Sequence, residues 1–413
     1  MYLELTPDLS DEHEQIKSMV HTFAKEVLRP AARLLDTIPA DDVGHHPVYR
    51  NVMRQAYELN LHTTLVPEGF GGMGLDPLGA HIVLEELAWG SAAFGVSISV
   101  AQFPAFGACL LATDDDALIA EFTTPFVENR DGTLIGCWAI TEPDHGSDWL
   151  VFGGMEGETG ENIVPNLRAK KVDGGWVLNG QKAAWISNGP VAQHAYLFVN
   201  LDPSQGMRGS GIALVDLSSP GVSRGKAWEK LGQRALPQGE LYFDDVFVPE
   251  KHLVADTDLY PFAIDATLSI ANTGMSALFT GVAQAAFDEA LSYARERVQG
   301  GRALIEHPTV QTNLFEMFKT VEAARAVSRR VMAYNYQTIT PSLKHAIAAK
   351  VFCTDAAVKV SHMAIQMLGG MGLSKESDIE MIYRDARMAQ VEDGVNEALA
   401  LHAGGTLRYM EGA

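Results

Sequence analysis

The spacing of apolar residues changes twice along this chain, so its fold must join two helical regions through a region of strands. Up to about residue 131 the apolar side chains recur every three or four positions. Ile16, Met19, Val20, Phe23 and Val27 form one run, and Val52, Met53, Ala56 and Leu59 the next. From Gly132 the period shortens. Strands are expected over 133–140, over a hairpin at 171–180 with turns at Asp173-Gly174 and Asn179-Gly180, and over 195–200, 211–217 and 240–248, closing at Pro249. Beyond Pro261 the helical period returns over 281–298, 309–337 and 343–368, with a last helix around 395–408. The predicted fold class is therefore α+β multidomain. It comprises an N-terminal helical domain (1–131), a middle β-barrel or sandwich domain (132–250) and a C-terminal four-helix-bundle domain (251–413). A length of 413 residues agrees, because it exceeds what one core usually holds.

In the first region Ser10 is placed to cap a helix over 10–36, with Asp11 and Glu12 at its positive end, and Pro30 is expected to kink or end it. Four glycines within 69–74 precede a helix led by Pro77. With no lysine close behind, they read as a tight connection rather than a phosphate cradle. The uncharged run 90–113 has the length of a membrane span. It is rich in Ser, Gly and Ala and broken by Pro104, so a buried helix and its turn are expected, and no membrane partner. The pair His45-His46 and the acids 114–116 read as a loop and a solvated helix start, and no metal is expected. A formal charge of −21 opposes a non-specific nucleic-acid role. Cys109, Cys137 and Cys353 show neither disulfide nor metal spacing, and the acidic N-terminus lacks signal-peptide features; both predict a cytoplasmic protein.

The first helical region gives way to strands at Trp138-Ala-Ile-Thr-Glu-Pro-Asp-His-Gly-Ser-Asp148. Here a strand runs into Pro143, which cannot continue sheet pairing, and Gly146-Ser147 turns the chain with exposed amides and a hydroxyl. Such a corner can aim several donors at one planar, polar ligand. Further on come Lys182-Ala-Ala-Trp-Ile-Ser187, Gln366-Met-Leu-Gly-Gly-Met-Gly372, Tyr383-Arg-Asp-Ala-Arg387 and Gln390-Val-Glu-Asp-Gly394.

Together and in this order, these stretches resemble the acyl-CoA dehydrogenase family of flavoenzymes, over essentially the whole chain. The resemblance implies FAD as cofactor and an acyl-CoA thioester as substrate. A carboxylate would take the α-proton while hydride leaves Cβ for the flavin. It further implies an electron-transfer flavoprotein as acceptor and a homotetramer built as a dimer of dimers. The usual base, a Glu before a Gly, is replaced here by Asp393 before Gly394, and the family's alternative position falls on Ala271. Certain relatives with an Asp base act on cyclic acyl-CoA substrates, and another deprotonates nitroalkanes. Flavin contacts carry over to Trp138, Ile140, Thr141, Gly146 and Ser147, and to Trp185, Ile186 and Ser187. From a neighbouring subunit Arg297, Gln366, Gly369 and Gly370 would meet the pyrophosphate. Ser147, Asn272 and Gly394 would border the substrate. Several positions depart from the family pattern: Gly300 replaces an aromatic residue, Pro308 a Gln, Val395 and Glu397 a Thr and a Gln, and Asn272 an Arg. The stretch 152–166 is longer than the family usually shows. Two other readings remain at this stage, a flavin oxidase or monooxygenase on the same fold, and a non-catalytic helical scaffold or binding protein that has lost the flavin.

Overall fold

The computed structural model describes residues 5–6, 9–112, 114–149, 163–338 and 340–407, so most of the long stretch 152–166 lies outside the described residues. Helices occupy the first part, a mixed sheet the middle and long helices the last.

Ser10 caps the Asp11–Phe23 helix through a reciprocal box with His13. Pro30 does not end the helical path. A wide π turn, Ala24–Leu28, precedes it and makes room for a ring that would otherwise strike the carbonyl four residues back, and Arg29–Leu35 continues. In the glycine loop Gly71 and Gly74 take positive φ, and a Cβ on Gly72 would lie 1.7 Å from the Val66 carbonyl oxygen, so close packing explains these glycines. His46 and Asp115 each accept backbone N–H groups at helix starts. The apolar run forms two mostly buried helices, Ala92–Ala101 and Phe103–Leu111, bent by 41° at their junction. Among the described residues no single helix is long and apolar enough to cross a membrane.

The sheet comprises β1 (Gly136–Ala139), β2 (Arg168–Val172), β3 (Gly175–Ser187), β4 (His194–Asn200), β5 (Ser210–Asp216), β6 (Val222–Ala227), β7 (Gln238–Pro249) and β8 (Leu253–Ala255). Its order is β6-β7-β3-β2-β4-β5-β8, with β1 parallel to β4. Alternation along β4 divides two cores: Ala195, Leu197 and Val199 pack inside the sheet, whereas Tyr196 and Phe198 join the helical core. The turn expected at Asn179-Gly180 is absent. β3 runs on against β7 through a bulge, where Asn179 and Asp245 bond each other and Gly180 (φ 140°) leaves no room for a Cβ beside Leu167. The sheet also continues past residue 250, because β8 pairs with β5.

The last region holds Tyr260–Glu296, Pro308–Asn335, Leu343–Leu368, Ile379–Met388 and Asn396–Leu407. The first of these starts about twenty residues before the visible apolar period. Ser269, Thr273 and Thr280 are buried there with hydroxyls turned onto carbonyls one turn back, so polar letters conceal a buried helix. Ile379–Met388 lies outside the expected helices although it buries Ile379, Met381, Ile382 and Ala386 at helical spacing; its Arg384 grips Asp36 at 2.8 Å and Glu380 within the same helix.

Candidate active site

The corner at 138–148 is bolted to β3 by a buried ion pair. The Lys182 ammonium donates at 2.8 Å to Glu142 Oε1 and at 2.8 Å to the Ile140 carbonyl, and lies 4.3 Å from the centre of the Trp149 ring. Glu142 also accepts the amides of Asn166 and Leu167, and the Ala183 amide bonds the Thr141 carbonyl at 2.9 Å. Burial pulls Lys182 down to about 8, opposed by the adjoining carboxylate. A bulge between Lys182 and Ile186, with Ala184 at φ 59°, breaks the alternation of β3. Trp185 is thereby turned outward, 44% exposed beside Trp228, while Ile186 is buried in the sheet and offers a ligand only its backbone. Ser187 accepts from Gln238 at 3.0 Å. Ile140, Thr141 and Ser147 stay partly open, and a Cβ added at Gly146 would meet nothing within 4 Å. Trp138 faces inward, its indole stacked on Phe103 at 5.1 Å.

The second component is the turn after Ile379–Met388. Asp393 (φ 50°) and Gly394 (φ 96°) are successive left-handed residues, and the strained, non-glycine one carries the acid. Three side chains hold this turn. Ser147 Oγ accepts the Val395 amide at 3.0 Å, Asn396 bonds Thr354 and Asp355, and Lys350 donates to the Gly394 carbonyl. Asp393 thus enters the wall of a narrow cavity of about 30 Å³ together with Leu84, Phe103, Ala271, Met275 and Tyr336. Burial pushes its carboxyl up to about 6, with Lys350 opposing. Glu392 points elsewhere: it accepts from Gln233 at 2.6 Å, and burial raises it to about 7 against the pull of Lys230. Sequence neighbours are thereby separated into one acid at the cavity and one in a polar cluster with Asp385 and Gln233.

The structure brings Asp393, Gly394 and Ser147 together. Asn272 is not brought to the cavity: it is fully buried and its amide bonds the Leu268 carbonyl in its own helix, while Ile270, Ala271 and Gly274 form the wall. Ala271, the alternative base position, lines the cavity and carries no acid. Arg297, Gln366, Gly369 and Gly370 are all exposed on the helical region, with open space at the two glycines. Sequence reasoning missed Lys350, Phe103 and Tyr336. Only Lys350 left a signal, a lone cation within the apolar stretch Ala346-Ile-Ala-Ala-Lys-Val-Phe-Cys353.

The chain matches three family models in succession: acyl-CoA dehydrogenase N-terminal domain over 10–122, middle domain over 137–246 and C-terminal domain over 263–405. This chain belongs to the acyl-CoA dehydrogenase family. It is 32% identical over 401 residues to the short-chain specific acyl-CoA dehydrogenase of Rattus norvegicus mitochondria, covering 97% of this chain and 91% of that one. It is 29% identical to the cyclohex-1-ene-1-carbonyl-CoA dehydrogenase of Syntrophus aciditrophicus, covering 97% and 91%. Butyryl-CoA dehydrogenase from Megasphaera elsdenii superposes with a TM-score of 0.84 at 27% identity, covering 99% and 100%. The family is FAD-dependent, and the residues present fit that cofactor: the outward Trp185 indole, the hydroxyls of Thr141 and Ser187, and the open space at Gly146 suit a broad planar ring with polar edges. The protein is an FAD-dependent oxidoreductase acting on the CH–CH bond of an acyl-CoA.

Proposed function

We propose that this dehydrogenase acts on a short or compact acyl-CoA with Asp393 as the base that removes the α-proton. The observation that carries the reading is the placement of Asp393 in the lining of the cavity, with the neighbouring acid Glu392 bonded to Gln233 and absent from that lining. A carboxyl pushed to about 6 by burial is ionised at neutral pH yet retains enough proton affinity to serve as a base. FAD, when bound, supplies the acceptor for the hydride that leaves Cβ. An aspartate is one methylene shorter than a glutamate, so the α-carbon must come closer to the turn, and displacements on the order of 1 Å matter at this step. The short-chain specific relative at 32% identity and the cyclohex-1-ene-1-carbonyl-CoA relative at 29% support a short or compact acyl group.

Arg297, Gln366, Gly369 and Gly370 would reach the FAD pyrophosphate of a neighbouring subunit, in a dimer of dimers held by the C-terminal helices. Exposed Phe315, Phe318 and Phe352 on those helices support a covered face. Electrons would pass to an electron-transfer flavoprotein, and the cytoplasm is the proposed compartment. The direct test mixes the FAD-loaded protein anaerobically with acyl-CoA thioesters of graded length, branching and ring content. Bleaching of the flavin by short or compact thioesters is expected. Bleaching by long chains only, or rapid oxygen consumption by the reduced protein, would overturn this reading.

A further inference from the structure

Lys350 lies near the start of Leu343–Leu368 and is fully buried, in a helix whose buried neighbours are Ala346, Ile347, Ala349 and Cys353. A cation there needs a reason, since desolvation of an ammonium is costly unless it is paired and hydrogen-bonded. Its partners all belong to one turn. The Nζ donates at 2.8 Å to the Gly394 carbonyl and at 2.8 Å to Asn396 Oδ1, so it spans the residues just after Asp393. Asn396 is fixed in turn by Thr354 at 3.0 Å and Asp355 at 3.1 Å, and Asp355 accepts from Gln390 at 2.6 Å, just before the turn. The helix therefore holds the turn on both sides of the acid.

We propose that Lys350 is a positioning residue for the base: its buried ammonium, bonded to the Gly394 carbonyl and Asn396, fixes the left-handed Asp393-Gly394 turn and puts a positive charge at the turn that carries the acid. The inference rests on the reading of Asp393 as the base. Around Lys350 the acidic groups are Asp393, Glu392, Asp355 and Glu397, with Asp393 the strongest electrostatic partner. Asp355 is occupied by two amides, Glu397 is exposed, and Glu392 is shared with Lys230. Burial draws Lys350 down to about 8, above the value of about 6 held by Asp393, so between these values the pair is ionised together. Taking the charge away leaves burial unopposed at Asp393, and the pH at which the base ionises must rise.

The test is the pH dependence of anaerobic flavin reduction by the fastest thioester, in wild type, Lys350→Met and Lys350→Arg. Wild-type reduction is expected to rise with pH through about 6. In Lys350→Met the rise should move upward by about one unit or more, and in Lys350→Arg, which keeps the charge, it should stay near wild type. A structural role alone would lower the rate at all pH values without moving the rise. An unshifted Met profile, or an Arg profile shifted as far as that of Met, overturns the proposal. If Lys350→Met fails to retain FAD, Lys350→Gln, which keeps a donor for the Gly394 carbonyl and removes the charge, replaces it: an upward move of the rise supports the proposal and an unmoved rise overturns it. Asp393→Asn separates the two readings, since wild-type reduction in that variant would remove the base itself and leave the Lys350 profiles to report on turn geometry.

Discussion

Replacing Lys182 by Met tests how the corner at 138–148 is held together. Both partners of the Lys182–Glu142 pair are shielded from solvent, with side-chain exposures of 0% and 0%. The substitution leaves a buried carboxylate held by the Asn166 and Leu167 amides, with the Arg168 charge nearby, and removes the Lys182 donor from the Ile140 carbonyl. Breaking a buried pair from one side costs about 3–5 kcal/mol, and the surviving amide bonds place this case near the lower end, about 3 kcal/mol. Lys182→Met combined with Glu142→Gln removes both charges and keeps an acceptor for the amides, so it should recover about half of that loss. Guanidinium unfolding midpoints measured without FAD, followed by FAD titration of each variant, read both consequences. The single variant should unfold earliest and bind FAD most weakly, because the pair joins the two segments that carry Thr141 and Ser187. A double variant less stable than the single one would show that the loss does not come from leaving Glu142 unpaired.

Three further outcomes follow from the geometry. Burial pushes Asp385 up to about 7, so between its ordinary value near 3.8 and about 7 the folded state keeps a proton that the unfolded chain has released. Stability should fall as pH rises through that window, and Asp385→Asn should flatten the fall by on the order of 4 kcal/mol; parallel unfolding profiles for the two proteins would count against it. The Tyr336 hydroxyl has no hydrogen-bond partner among the described residues and borders the cavity. Tyr336→Phe should therefore lower the KM for a short saturated acyl-CoA by about fivefold, and a raised KM would contradict this placement. Arg297→Ala should weaken FAD binding by about 1.5–3 kcal/mol if the guanidinium pairs with pyrophosphate; an unchanged FAD titration would remove Arg297 from the site.

Much of the architecture is written in the periodicity, because long amphipathic runs such as 309–337 bury the face their spacing implies. Where polar residues are buried the pattern fails, as with the hydroxyls of 260–280, which are satisfied inside their own helix and look solvent-facing in the sequence. The corner at 138–148 and the acid at 393 were legible through family motifs. Their supports were not, since contact between Lys350 and Gly394 depends on how distant segments fold back. Asn272 shows the converse: the motif places it near substrate, whereas the helix turns its amide onto Leu268. Bulges carry a similar lesson, because the local kink at Ala184 decides that Trp185 faces outward and Ile186 inward.

The proposed base is Asp393 rather than Glu392. Asp393→Asn keeps the size of the side chain and removes the proton acceptor, so anaerobic flavin reduction by the best thioester should slow by about 10²–10⁴-fold while FAD stays bound. Glu392→Gln should reduce flavin within a few fold of wild type, since its carboxyl faces Gln233 and Lys230. Reduction at the wild-type rate in Asp393→Asn, with loss of reduction in Glu392→Gln, would move the base by one residue to Glu392.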